Sequence, residues 1–170
     1  KKASVPVCVQ LDHGETEGYI KRALELGFTG IMYDGSSLPF EENTRKTKEI
    51  VDLAHACGAS VEGALGDRGK RTTVYQNAKG NDERGKVYTD PEEARIFVEQ
   101  TGVEALACSF GTTHGFYLSE PDLRMDIISQ VHEKAGIPVE MHGASGVSED
   151  DFQESIRGGV RQINSYTYLD

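Results

Sequence analysis

The sequence has little positive charge and no long apolar run, and both shortages limit the class of protein it can encode. Across 170 residues, Lys and Arg total 18 against 28 Asp and Glu, which gives a formal net charge of −10. Binding to nucleic acid or to an anionic membrane surface needs basic patches, so neither partner is expected. The longest apolar runs also fall well short of the roughly 20 residues of a membrane-spanning helix.

Cysteine is scarce as well, and Cys8, Cys57 and Cys108 lie far apart in the sequence. An odd number of cysteines without close spacing argues against a disulfide framework and favours reduced thiols in a cytoplasmic protein. Apolar residues still make up 37% of the chain, which is enough for the core of one domain. We therefore treat residues 1–170 as a single domain.

Short apolar strands alternate with amphipathic helices along the chain, which predicts an α/β fold with a parallel sheet. Strands are expected at residues 5–11, 30–33, 60–65, 104–110, 137–141 and 160–164. Helices are expected at residues 15–26, 41–57, 122–135 and 148–157, with a further helix that starts at Asp90. Residues 66–88 interrupt this pattern with a polar, glycine-rich stretch that we interpret as a mobile functional loop.

The spacing of these elements favours part of a (β/α)8 TIM barrel. Six strands are predicted, and such barrels need roughly 200 residues at minimum, so two βα units are expected to be missing at the N-terminal side. The first strand is not followed by a GxGxxG motif, which disfavours a dinucleotide-binding fold.

Polar side chains collect where the predicted strands end, and in a parallel barrel these ends converge on one face. Three of the five histidines, His13, His114 and His142, lie at such ends, and each is followed by glycine. Three imidazoles with an open fourth position are typical of a catalytic zinc site, although three unrelated histidines would give the same pattern. His55 and His132 lie within predicted helices and are not expected to join them.

Residues 143–146, with the sequence GASG, lie between a strand end and the predicted helix cap Ser148. Small residues in such a loop let backbone N–H groups face an anion, so this segment could form a phosphate cradle. Asn164, Ser165 and Thr167 would supply its other half. An ordinary surface loop could have the same composition.

Six segments of the chain together carry a resemblance to one protein family. They are LDHG (11–14), MYDGSSLPFEENTRKTKEIVDLAHACGASVEGALG (32–66), YTDPEEA (88–94), FGTTHGFY (110–117), HGASGV (142–147) and INSYT (163–167). In their order and spacing, over nearly the whole chain, these segments resemble the class II, zinc-dependent ketose-bisphosphate aldolases. The resemblance implies a (β/α)8 barrel of which this chain is the third to eighth strands.

The resemblance implies an aldolase that reversibly cleaves a ketose 1,6-bisphosphate, foremost fructose-1,6-bisphosphate, to dihydroxyacetone phosphate and glyceraldehyde 3-phosphate. It implies that His13, His114 and His142 bind Zn²⁺ and that Asp12 is the general acid/base for the C4 hydroxyl. Loop 66–88 would close over the substrate. The resemblance further implies a bound Na⁺ or K⁺ and a homodimer or higher homo-oligomer. The residues implied for the sugar phosphate and the monovalent cation are Gly115, Gly143, Ser145, Asn164 and Thr167.

The sequence also departs from the family pattern. Ala64 stands where a second glutamate is expected after Glu62, and Tyr166 stands where an aspartate is expected before Thr167. Residues 67–70 replace a glycine-pair loop, and residues 118–120 lack the expected phosphate-region lysine. Two alternatives therefore stay open, a diverged aldolase with another phosphorylated sugar and a non-catalytic metal-binding relative.

Without a carboxylate at Ala64, zinc is expected to occupy one position on the three histidines. Strand alternation places Glu62 and Ala64 on the same face of their strand. We therefore predict that Glu62 accepts a hydrogen bond from the N–H of a zinc-site histidine without binding the metal.

Overall fold

The computed structural model describes residues 3–66, 88–115 and 121–167, and within them six strands alternate with five helices. The predicted loop 66–88 lies outside the described residues except at its two ends, as do residues 118–120. In chain order the elements are β1 (Gln10–Leu11), α1 (Glu17–Glu25), β2 (Gly30–Met32), α2 (Phe40–Ala56), β3 (Ser60–Leu65), α3 (Pro91–Thr101), β4 (Ala105–Cys108), α4 (Met125–Ala135), β5 (Val139–Met141), α5 (Glu149–Gly158) and β6 (Val160–Ile163).

The six strands form one parallel sheet in the order β1-β2-β3-β4-β5-β6, which confirms the predicted α/β class. Each strand pairs with the next one in the sequence, as in a half-barrel, so the fold is consistent with part of a TIM barrel. The assignment of these strands as the third to eighth of a full barrel stays a prediction.

Local sequence explains where most of the helices begin and end. The Asp90 side chain accepts hydrogen bonds from the backbone N–H groups of Glu92 and Glu93, with Pro91 at the first position of α3. Gly102 then ends α3 in the left-handed conformation at φ 77°. The Ser148 side chain caps α5 in the same way as Asp90 caps α3, by accepting from the N–H of Asp151.

The two faces of the sheet differ in chemistry. The helix-facing side carries the main apolar core, in which Phe97, Leu106 and Val139 are fully buried. The opposite, inner face has a small apolar cluster of Met32, Ala64 and Ala107. Beside this cluster, the inner face carries polar side chains from several strands, and these build the site described below.

Several predicted elements are shorter in the structure, among them β1 and α4. β1 begins at Gln10, since Val5 and Val7 are each 66% exposed and do not join the sheet. α4 begins at Met125 and not near residue 122, because the N–H of Arg124 bonds to the carbonyl of Phe110 and holds the preceding segment against the end of β4. In the described part of the chain, no helix is both long enough and apolar enough to cross a membrane.

Candidate metal centre

His13, His114 and His142 come from three different strand ends and meet on one side of the sheet. Their ring centroids are 5.1 to 5.6 Å apart in all three pairs, and one nitrogen of each ring lies within 4.8 Å of the others. Zinc–nitrogen bonds of 2.0–2.1 Å in a tetrahedral site place the nitrogens roughly 3.3 Å apart, which small rotations of these rings would reach. The donor set therefore fits a zinc ion.

A close contact between two loops brings His114 beside His142. Gly143 follows His142 with φ 69°, and a Cβ atom at this position would lie 2.3 Å from the carbonyl oxygen of Thr113. Only a residue without a side chain can take this conformation at this separation. Gly143 thus lets the loops after β4 and β5 approach each other until the two imidazoles are neighbours.

His13 has a left-handed backbone, with φ 49°, which is uncommon for a residue other than glycine. Its N–H contacts the sulfur of Met32 at 3.3 Å, and the N–H of the next residue, Gly14, bonds to the Met32 carbonyl at 2.9 Å. The turn after β1 is thereby fixed to the end of β2. It aims the His13 ring, whose side chain is only 10% exposed, at the other two histidines.

Asp34, at the end of the β2 segment, lies beside His13. Its Oδ2 is 3.4 Å from Nδ1 of His13, while its Oδ1 accepts from the hydroxyl and the N–H of Ser36. An ionised Asp34 would keep the proton of His13 on Nδ1 and leave Nε2 for a metal. Its place at a strand end indicated such a group, although sequence analysis gave it no role.

Glu62 and His142 form a buried pair, as the alternation of β3 predicted. His142 Nε2 lies 2.7 Å from Oε1 of Glu62, and both side chains are 2% exposed. The other carboxylate oxygen accepts a 2.7 Å hydrogen bond from the Gln10 amide. If Glu62 is ionised it can accept the Nε2–H of His142, and Nδ1 would then be the nitrogen that binds an ion.

Asn164 adds a second neighbour to His142. Its amide nitrogen is 3.0 Å from Nε2, and its amide oxygen accepts from the Gln162 side chain at 3.2 Å. The predicted substrate residue Asn164 therefore lies at the edge of the histidine cluster.

Sequence analysis did not single out Glu140, which also lies on the inner face. Glu62, Glu140 and His142 are all buried, and their ligand-type atoms lie within 4.8 Å of one another. The pattern that could have revealed this residue is strand alternation, because Glu140 precedes His142 by two positions and so shares its face.

Asp12 is more exposed than the histidines, with a side-chain exposure of 57%. Its Oδ1 is 3.9 Å from Nε2 of His13, the nitrogen not facing Asp34. A carboxylate in this place is near the proposed metal and open to a substrate, which is what a general acid/base requires.

The predicted phosphate segment is assembled around Ser145. The Ser145 hydroxyl oxygen accepts from the backbone N–H groups of Tyr166 and Thr167 at 3.3 and 2.9 Å, and it contacts the Ser165 hydroxyl at 3.2 Å. The structure thus joins the two halves of the predicted cradle. Gly115 has φ 99°, and among the described residues no atom lies within 4 Å of a Cβ atom added to it.

The remaining two histidines lie apart from the centre, as predicted. His55 contacts Glu104 through Nε2 at 2.7 Å, and His132 contacts the carbonyl of Ile137 through Nδ1 at 2.8 Å. The first contact joins α2 to the residue before β4, and the second joins α4 to the segment before β5.

Comparison with known proteins gives a consistent result over the whole chain. Residues 1–170 match the family model described as fructose-bisphosphate aldolase class-II. The chain is 44% identical over 154 residues to a fructose-bisphosphate aldolase of Giardia intestinalis, covering 88% of this chain and 46% of that protein. It is 38% identical over 165 residues to the D-tagatose-1,6-bisphosphate aldolase subunit GatY of Klebsiella oxytoca, covering 97% and 57%.

A third relative is known both by sequence and by structure. The uncharacterized protein YdjI of Escherichia coli K12 is 42% identical over 169 residues, covering 99% of this chain and 59% of that protein. The crystal structure of the YdjI aldolase from Escherichia coli K12 superposes with a TM-score of 0.81 at 38% identity, covering 96% of this chain and 55% of that one. The chain thus spans about half the length of the relatives it matches.

Proposed function

Because the chain belongs to the class II fructose-bisphosphate aldolase family, we propose that its protein is a zinc-dependent aldolase that reversibly cleaves a ketose 1,6-bisphosphate. The observation that carries this proposal is the convergence of His13, His114 and His142 at three strand ends, with Asp12 beside them. Fructose-1,6-bisphosphate is the first substrate to test, with dihydroxyacetone phosphate and glyceraldehyde 3-phosphate as the products.

In this proposal the three imidazoles hold the divalent ion. The bound ion would supply Lewis-acid polarisation of the ketose carbonyl, which accepts the electron pair of the broken C3–C4 bond. Asp12 takes the proton of the C4 hydroxyl as that oxygen becomes an aldehyde, and it returns the proton within the same pocket. Asp34 and Glu62 orient His13 and His142 by accepting the N–H of the ring nitrogen that does not bind the ion.

The sugar phosphate would bind at the loops held together by Ser145. Gly143 and Thr167 border this region, and Asn164 lies between it and the histidines. Gly115 is included because the resemblance implies it. A monovalent cation, Na⁺ or K⁺, would lie in the same region, as the resemblance implies. The phosphate would be held by backbone N–H groups of these loops.

A diverged sugar phosphate is the second candidate substrate. Tyr166 is 89% exposed next to the Ser145 loops, at the position where the resemblance expects an aspartate. A tyrosine offers a ring and a neutral hydroxyl in place of a carboxylate, and this changes which sugar hydroxyl groups it can bind. Tagatose-1,6-bisphosphate is included in the test because one relative carries that name.

We also propose a cytoplasmic location, which the three free cysteines support. The homodimer or higher homo-oligomer that the resemblance implies stays a prediction, and size-exclusion chromatography with light scattering would test it.

The test combines metal analysis with a retro-aldol assay on fructose- and tagatose-1,6-bisphosphate. We expect cleavage that is lost on chelation and restored by zinc, and we expect His13→Ala to lose both metal and cleavage. His55→Ala is the matched control, because it removes a histidine outside the centre. Metal binding without cleavage of any sugar phosphate would favour the non-catalytic relative, and cleavage that persists without metal would overturn the proposal.

A further inference from the structure

Thr89 lies immediately before the α3 cap Asp90, and no step of the proposed mechanism uses it. The residue is buried, with 4% of its surface exposed. Its hydroxyl donates a 2.9 Å hydrogen bond to the carbonyl of Leu65 and accepts a 2.8 Å hydrogen bond from the N–H of Ser109. The backbone N–H of Thr89 also donates to the carbonyl of Ser109 at 2.9 Å. Thr89 therefore contacts the ends of two neighbouring strands.

These hydrogen bonds lie where the pairing of β3 with β4 ends. Leu65 and Cys108 are the last paired residues of the two strands, and Ser109 is the first residue beyond β4. Thr89 thus connects the strand ends at the point where the chain leaves the sheet towards His114. A hydroxyl suits this place, because the same group can donate to a carbonyl and accept from an N–H.

The packing at the end of β3 leaves room for this contact and little more. Gly66 has φ 85°, and a Cβ atom there would lie 2.7 Å from Oγ1 of Thr89 and 2.7 Å from Cβ of Ser109. A side chain at position 66 would therefore push the hydroxyl away from the strand ends. The close approach of these three residues joins β3, β4 and the segment before α3.

Residues 109–113 lead from the end of β4 to the proposed ligand His114. Thr89 holds the first of these residues through both its backbone N–H and its carbonyl. The next residue, Phe110, is fully buried, and its carbonyl accepts a 2.8 Å hydrogen bond from the N–H of Arg124. The segment therefore leaves the sheet in a fixed direction. A displacement at its start would shift the imidazole, and a metal ligand has to be held within about 0.5 Å of its place.

We propose that Thr89 is a positioning residue for His114: its hydroxyl fixes the backbone where β4 ends and thereby places the imidazole for the divalent ion. This inference rests on the proposed metal centre, and it requires no contact between Thr89 and the ion. Asp34 and Glu62 contact the other two rings directly, whereas Thr89 acts through the backbone.

The test uses two matched pairs of variants in the intact protein. Wild type and Thr89→Val differ in a hydroxyl that is replaced by a methyl group, and Thr89→Ser and Thr89→Ala differ in the same hydroxyl. In each pair we expect the protein without the hydroxyl to bind zinc about 10-fold or more weakly, as measured by competition with a chromogenic chelator. Thr89→Ser should keep the affinity of wild type. If Thr89→Val does not fold, the second pair gives the same comparison.

Hydrogen exchange of the metal-free protein gives a readout that does not depend on the ion. Without the hydroxyl, the N–H of Ser109 loses this acceptor, so the amides of residues 109–114 should exchange about fivefold or more faster in Thr89→Val. Thr101→Val is the matched control, because Thr101 is 1% exposed and its hydroxyl donates to the carbonyl of Phe97 within α3. The control should change neither the zinc affinity nor the exchange of residues 109–114.

The outcomes separate this inference from the proposed function. If wild type binds no divalent ion, or if His13→Ala binds it as wild type does, the metal centre fails and the role of Thr89 fails with it. If His13→Ala loses the ion while Thr89→Val and Thr89→Ala keep wild-type affinity, only the role of Thr89 is overturned.

A purely structural role of Thr89 has its own signature. Thr89→Val would then lower the thermal midpoint and leave zinc affinity and the exchange of residues 109–114 as in wild type. Equal losses of zinc affinity in Thr89→Val and Thr101→Val would indicate general destabilisation, and weak zinc binding by Thr89→Ser would show that the hydroxyl is not the cause. Each of these results would overturn the inference.

Discussion

The Nε2 atom of His142 lies 2.7 Å from Oε1 of Glu62, and both side chains are only 2% exposed. This contact joins the middle of β3 to the end of β5 across the inner face of the sheet. Since Gln10 donates to the second oxygen of Glu62, three strands contribute to the orientation of one imidazole. The proposed metal centre thus depends on the sheet's inner face as much as on its loops.

Glu62→Gln should weaken zinc binding about 10- to 100-fold, because an amide oxygen is a poorer partner than a carboxylate for the N–H of a ligand histidine. Chelator competition would measure the change. Gln10→Ala removes only the second contact of Glu62 and should have a smaller effect. Equal zinc affinity in Glu62→Gln and wild type would show that this hydrogen bond does not orient a ligand.

Asp34→Asn should also weaken zinc binding, because Asp34 faces Nδ1 of His13 at 3.4 Å. The contact of Asp34 with His13 is longer than the 2.7 Å contact of Glu62 with His142, and Asp34 is partly exposed. We therefore expect a smaller loss of zinc affinity than in Glu62→Gln. Isothermal titration of the metal-free protein with Zn²⁺ would compare the two variants. A larger loss of zinc affinity in Asp34→Asn than in Glu62→Gln would show that Asp34 contributes more to metal binding than Glu62 does.

The positions of the histidines could be predicted from sequence, whereas their supporting groups could not all be found. Parallel strands place their ends together, so a polar residue at each strand end was sufficient to group His13, His114 and His142. Glu140 was missed because a single acid inside a short apolar strand carries no motif. Its proximity to Glu62 depends on the curvature of the sheet and on the register shift of β6, which are tertiary properties.

The same distinction explains the ends of the elements. α3 was predicted to start at Asp90 because its cap, proline and acidic first turn are local signals. The start of α4 was placed too early, since the Arg124–Phe110 backbone hydrogen bond that delays it joins residues of different elements. The proposed roles of the phosphate-region residues also stay predictions. The anion would be bound by backbone N–H groups, and the residue types in a sequence do not reveal where backbone N–H groups point.

Asp12→Ala should lower kcat by about 10²-fold or more while zinc content stays at the wild-type level. The reason is that Asp12 lies 3.9 Å from His13 but has a side chain that is 57% exposed, as expected for a group that exchanges a proton with a bound sugar. Steady-state kinetics and metal analysis on the same preparation would measure both quantities. Loss of zinc from this variant would make Asp12 a support of the metal centre instead of a general acid/base.

Gly143→Ala should disrupt the centre, because its Cβ would lie 2.3 Å from the Thr113 carbonyl oxygen. Gly136→Ala is a matched control: the two glycines share φ 69°, but no atom of the described residues lies within 4 Å of a Cβ at Gly136. Both variants bear the conformational cost of a left-handed alanine, about 1 kcal/mol. Denaturant unfolding should show a larger loss for Gly143→Ala, accompanied by weaker zinc binding. Equal losses would mean that the two loops can separate without affecting the histidines.

Ala64→Glu tests whether the inner face accepts a third acid. Ala64 is fully buried beside Met32 and Ala107, so a longer side chain should destabilise the metal-free protein by about 1–3 kcal/mol through overpacking alone. Its charge should add to the repulsion from Glu62 and at the same time increase the attraction for a divalent ion.

Ala64→Gln separates these two effects, because it introduces almost the same volume without a charge. If charge at this level of the sheet governs metal affinity, Ala64→Glu should bind zinc more tightly than Ala64→Gln, and zinc should raise its thermal midpoint by a larger margin. Chelator competition and thermal unfolding with and without zinc would measure both differences. Equal zinc affinity in the two variants would mean that position 64 influences the centre only through packing.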